Sequence, residues 1–241
     1  WKEVSVHDPL MRPITAKYLL LPDATAVIEI AQACGLHLLT EAERNPVVAS
    51  SYGVGELIAD ALGEGVKRII IGLGGSATND AGLGMLMALG MTFHDVNDSL
   101  LTHGGGALAS LHRLDSTNLH TKVRETVFEV ACDVTNPLCG LLGASAVFGP
   151  QKGACPQQVA DLDKALSHFA ATCAHHGYPE CQEVAGAGAA GGLGYALMSF
   201  CNAQLKSGFD TVAEVASLSE HIADADLVIT GEGKLDVQTA M

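Results

Sequence analysis

Residues 72–80 read Gly-Leu-Gly-Gly-Ser-Ala-Thr-Asn-Asp and follow directly on Arg68 and the β-branched run Ile69-Ile70-Ile71. Small residues at such a position let a backbone come close to a ligand, and main-chain amides at the start of a following helix suit a phosphate. In this reading Gly74, Gly75 and Asn79 form part of a phosphate cradle. Ser76 and Thr78 donate to phosphate oxygens, and Asp80 holds Mg²⁺ or acts on a hydroxyl. The plainer alternative is a tight turn in which Thr78, Asn79 or Asp80 caps the helix.

Three further segments carry groups of the same kind. Ala-Cys-Asp-Val-Thr-Asn-Pro ends an apolar run at Asp133, a carboxylate able to bind a metal or accept a hydroxyl proton, or simply to cap a turn. Phe-Gly-Pro-Gln-Lys-Gly-Ala sets Lys152 on a Gly/Pro-framed loop, where a lone lysine is otherwise just solvated. Ile-Thr-Gly-Glu-Gly-Lys-Leu-Asp offers Glu232, Lys234 and Asp236 beyond a strand. In parallel α/β sheets ligands gather beyond the carboxyl ends of strands, so the turns after Ile71, Cys132 and Thr230 are expected to share one hollow.

A rival reading comes from the same glycines. Gly72, Gly74 and Ala77 match G-x-G-x-x-A with Asp95 about 20 residues on, the pattern of a nicotinamide-dependent enzyme. Residues 186–191 match G-x-G-x-x-G as well, but a poor strand precedes them. GxSxG, GxxxxGK[ST] and HExxH are all missing from the sequence, and the ten histidines suggest no chemistry.

The elements that must position these groups alternate. Strands are expected at 14–20, 26–30, 68–71, 91–94, 127–132 and 226–230. Helices are expected at 31–36, 55–62, after residue 80, at 156–176, from the glycine-rich 186–194 to about 202, and at 209–218. Residues 104–106 read as a flexible joint. The alternation predicts an α/β fold with a largely parallel sheet.

Composition narrows the partners. Of 241 residues 48% are hydrophobic and 17% charged, with a formal charge of −14 that disfavours nucleic acid and anionic lipid. An anionic nucleotide would need a local cradle of cation and amides. Seven cysteines without a CxxC pair read as reduced thiols in a cytosol. No apolar run reaches the roughly 20 residues of a membrane span. The chain begins at Trp1 and stops at Met241 just past a Gly-Glu-Gly turn, so both ends are expected to be truncated.

Residues 72–90, 130–154, 186–197 and 226–239, with 45–58, resemble the glycerate kinase family in content and order. That resemblance implies ATP- and Mg²⁺-dependent phosphorylation of D-glycerate in the cytoplasm, with 2-phosphoglycerate the favoured product. It implies a Rossmann-like sheet with a second, smaller mixed α/β domain, the two interleaved in a chain (1–241) that is the central part of the whole, and a cleft between them. It makes Gly188, Gly191 and Gly192 walls of the cleft beside residues 74–79. Asp133, Lys152, Glu232, Lys234 and Asp236 become its polar groups. A homo-oligomer is compatible with all of this. Two departures stand out: the family's Asp-Ser-Phe-Lys and Asp-Gly-Gly-Glu-Gly segments are missing from this sequence, and Lys234 stands where many relatives carry Arg.

Overall fold

The computed structural model describes residues 1–223, 225–229 and 231. They divide into two compact units after Gly208. The strands of the first are β1 (Lys2–His7), β2 (Pro13–Leu20), β3 (Thr25–Glu29), β4 (Arg68–Gly72), β5 (Thr92–His94), β6 (Arg113–Asp115), β7 (Val127–Ala131) and β8 (Gln204–Lys206). Its helices are α1 (Ala31–Cys34), α2 (Tyr52–Gly63), α3 (Leu83–Ala88), α4 (Ala144–Phe148), α5 (Pro156–His175) and α6 (Ala189–Cys201).

Six strands form one sheet in the order β1-β2-β3-β4-β7-β8. The two pairings from β1 to β3 are antiparallel, and the three from β3 to β8 are parallel. Strands β5 and β6 make a separate antiparallel pair. The fold is therefore mixed α/β with a mostly parallel central sheet and a small antiparallel one. Ile69, Ile70 and Ile71 of β4 are all buried, as a parallel strand covered on both faces requires.

One charge sits inside this sheet. Glu129 of β7 is buried, and it pairs with Arg68 of β4 and with Lys206 of β8 at 3.1 Å. The two cations hold its carboxyl below the usual range against the opposing effect of burial.

Helix α2 carries Gly53 and Gly55, each about 1 kcal/mol less favourable in a helix than alanine. The packing explains both. A Cβ at Gly53 would lie 1.9 Å from the His7 carbonyl oxygen, and one at Gly55 would lie 2.3 Å from the Met85 oxygen. These glycines let α2 press against the end of β1 and against α3.

Several expectations are corrected here. Residues 104–106 are not a joint: Gly105–Ser110 is a 3-10 helix, and a Cβ at Gly104 would meet the Val47 oxygen at 2.5 Å. β1, β6 and β8 escaped the sequence reading because they are short or bear charges on their open side. From Gly208 on, α7 (Gly208–Val215) and α8 (Leu218–Ala223) replace one helix, broken where Ser217 takes φ 49°. Residues 226–229 form no strand, and Leu227, Val228 and Ile229 are exposed, because among the described residues no ladder partner meets them. Thr230, Glu232, Lys234 and Asp236 lie outside the described residues.

Gly53→Ala should lower stability by about 1–3 kcal/mol through overpacking against β1. Chemical denaturation checks this, and an unchanged midpoint would contradict the close approach.

Candidate functional site

A hollow of about 300 Å³ opens beyond the carboxyl ends of β4 and β7. Leu73, Gly74, Gly75 and Ser76 line it from the first strand end, and Cys132, Asp133 and Val134 from the second. Phe148, Gln151 and Lys152 close one side, and Ala189 and Ala190 another. Two of the three turns expected to converge do so. The third, after Thr230, lies outside the described residues.

The glycine-rich turn is built differently from the expected strand–turn–helix. Helix α3 starts only at Leu83, after Ala81 and Gly82 in left-handed conformations, so residues 74–79 do not sit at a helix N-terminus. Instead the loop is stitched to the end of α1. The amide of Leu36 donates to the Gly75 oxygen and that of Ala77 to the Cys34 oxygen, both at 2.8 Å. Gly75 supplies the positive φ, 70°, that the bend needs. Among the described residues nothing accepts from the amides of Gly74, Gly75 and Ser76, and all three residues line the hollow.

Lys152 is the charge beside them. It is 2% exposed, and its Nζ donates to Ser76 Oγ at 2.9 Å and to the Thr78 carbonyl at 2.7 Å. No carboxylate contacts it among the described residues. Burial draws its pKa down to about 8. The turn that presents it depends on Gly153, whose φ is 94° and whose missing Cβ leaves room for the Arg44 oxygen. Asp133 is exposed at the mouth, one oxygen accepting from the Gly208 amide at 2.8 Å.

Other expected residues have different tasks. Thr78 and Asn79 are buried; Asn79 donates to Ser145 Oγ at 2.9 Å, and Thr78 offers Lys152 its carbonyl rather than its hydroxyl. Asp80 does not line the hollow, and four donors converge on its buried carboxylate. Gly188, Gly191 and Gly192 face neighbouring backbones: a Cβ at Gly191 would lie 2.0 Å from the Thr78 oxygen, and one at Gly188 2.2 Å from the Pro137 oxygen. They allow two loops to pack, and the alanines between them wall the hollow. Leu73, Cys132, Phe148 and Gln151 were missed. Gln151, beside Lys152 in a framed loop, had the clearest signal.

The nicotinamide pattern fails on geometry. No helix follows the glycines directly, and Asp95 accepts from the amides of Asn97 and Ser99 in a turn after β5, in the separate two-stranded sheet.

The model for the "Glycerate kinase family" matches residues 1–241. A protein named glycerate kinase from Haemophilus influenzae is 48% identical over 240 residues, covering 99% of this chain and 64% of that protein. One named glycerate 2-kinase from Escherichia coli is 48% identical over 235 residues, covering 97% and 62%. A crystal structure from Salmonella typhimurium LT2, assigned by name as glycerate kinase 2, superposes with a TM-score of 0.92 at 47% identity, covering 100% of this chain and 64% of that one. The chain thus spans somewhat under two thirds of the length of these relatives.

Lys152→Met removes a buried ammonium and should leave the protein at least as stable, because the desolvation penalty of the charge outweighs two lost hydrogen bonds. Thermal unfolding checks the stability.

Proposed function

Because the chain belongs to the glycerate kinase family, we propose that this protein transfers the γ-phosphate of ATP to a hydroxyl of D-glycerate, with 2-phosphoglycerate the favoured product. The observation that carries the reading is a buried lysine ammonium that no carboxylate contacts among the described residues, beside three amides that no described residue claims, in a hollow at the ends of two parallel strands. A desolvated cation so placed calls for an anion, and a phosphate has the oxygens to meet both the lysine and the amides. The name of the Escherichia coli relative, glycerate 2-kinase, supports the choice of hydroxyl.

In the transfer, the substrate hydroxyl oxygen bonds to the γ-phosphorus as the bond to the ADP oxygen breaks. The amides of Gly74, Gly75 and Ser76 hold phosphate oxygens, and Lys152 offsets charge on the transferring group. Asp133 and Asp236 are the two candidates to take the hydroxyl proton. Mg²⁺ would shield the phosphate charge. Asp133 fits it, with a hard oxygen in the hollow that no donor claims among the described residues. The same reading extends to Glu232 and Lys234 as nucleotide-side groups, to a Rossmann-like domain interleaved with a smaller mixed α/β domain, and to a cytoplasmic enzyme.

The full gene product should release ADP from ATP only when D-glycerate is added, in a coupled assay. Acid-independent ADP release, or none, would overturn the assignment. Asp133→Asn should cut turnover at least 100-fold with folding retained, and near-normal turnover would remove Asp133 from the mechanism.

A further inference from the structure

Asp80 is fully buried and sits behind the hollow, outside its lining. Its Oδ2 accepts from the amide and the hydroxyl of Ser51, each at 2.9 Å, and from the Gly84 amide at 3.2 Å. Its Oδ1 accepts from the Gly82 amide at 3.2 Å. Ser51 Oγ in turn accepts from the Met85 amide at 3.0 Å, so the hydroxyl proton is directed at Asp80. Three of the four donors are main-chain N–H groups that can only donate. The set therefore suits an ionised carboxylate, even though burial pushes the carboxyl above its ordinary range.

These bonds tie together three pieces of chain: the start of α2, the end of the glycine-rich loop and the first turn of α3. Gly84 makes the junction tight enough, since a Cβ there would lie 2.3 Å from Ser50 Oγ. Thr78 and Ser76, the two acceptors of Lys152, lie two and four residues upstream of the junction. Fixing residue 80 therefore limits where Ser76 and Thr78 can place the ammonium.

We propose that Asp80 is a positioning residue of the phosphate site: its carboxylate locks the loop that seats Lys152 and supplies the negative charge behind that ammonium. This rests on the hollow being the phosphate site. Among the described residues the groups facing Lys152 are few. Cys34 comes from α1, its thiol pushed up to about 12 by burial and so uncharged near neutrality. Asp80 comes from the loop before α3, Asp133 from the end of β7, and the Arg44 backbone lies against Gly153. Asp80 is thus the buried fixed charge that favours the protonated lysine.

The test is ATP binding by titration calorimetry on the full protein from pH 6 to 10, with steady-state kinetics alongside. Wild type should lose affinity as pH rises through about 8, where Lys152 deprotonates. Asp80→Asn removes a neighbouring negative charge, so the lysine loses its proton more easily and the loss of affinity moves to lower pH. KM for ATP should rise at least fivefold while KM for D-glycerate changes less than twofold. Ser51→Ala keeps the charge but removes both bonds of the Ser51 hydroxyl, to Asp80 and from the Met85 amide: affinity falls severalfold with the pH midpoint unmoved, and this variant decides the matter if Asp80→Asn does not fold. An unshifted midpoint in Asp80→Asn, unchanged affinity in Ser51→Ala, or a loss in Asp80→Asn restored by excess Mg²⁺ would overturn the proposal. Wild type that binds no ATP would instead remove the phosphate-site reading beneath it.

Discussion

Burying an ammonium removes its hydration, and the effective penalty is several kcal/mol unless polar groups replace the water. At Lys152 the replacement is partial: a hydroxyl, a carbonyl and a wall of unclaimed amides, with no carboxylate in contact among the described residues. Much of the first unit's loop architecture bears on holding that arrangement. The Gly153 turn presents the lysine, the loop from Leu73 to Asp80 presents its acceptors, and the strand ends of β4 and β7 fix the floor. A carboxylate in contact with Lys152 would neutralise the site and leave it little reason to bind an anion.

The glycines divide into two kinds on this view. Gly75 and Gly153 supply positive φ at bends that shape the hollow. Gly188, Gly191 and Gly192, the last two also at positive φ, permit near contact between the start of α6 and the backbone of residues 78–81 and 137. The sequence treats both kinds alike, because a glycine that faces a ligand and one that faces a carbonyl have the same letter. The strand-end hollow was legible from the pattern of apolar runs closed by polar turns. The division of labour among glycines was not, since it depends on which backbone lies 2 Å from a Cβ that does not exist.

Asp80 and Asp133 show the same limit from the other side. Each is an aspartate after a turn, and neither its neighbours nor its spacing says whether donors or solvent surround it. Asp133 follows the end of a parallel strand and stands at the mouth. The sequence left Asp80 open between metal or hydroxyl chemistry and capping, because its key partner, Ser51, lies 29 residues away. Glu129 is a parallel case in the sheet, where a charge inside an apolar run is made tolerable by cations from both neighbouring strands. Long-range pairing of this kind leaves no periodic trace. The helices α2 and α5 were legible because their apolar faces repeat at helical spacing, whereas β8, three residues long, had no pattern to show.

The two buried charges behind the glycine-rich loop also constrain each other. Lys152 alone would be depressed further by desolvation, and Asp80 alone would need all four of its donors to stay ionised. Held apart by the Thr78 carbonyl segment, they do not form an ion pair, which would cancel the field in the hollow. Each still lowers the electrostatic penalty of the other through a low-dielectric interior. Separation by one stretch of backbone therefore keeps a buried cation out of a direct ion pair. That separation depends on the loop holding its place, because the loop carries both Thr78, an acceptor of Lys152, and Asp80 itself. The stitching to residues 34–36 on one side and to Ser51 and α3 on the other holds it there.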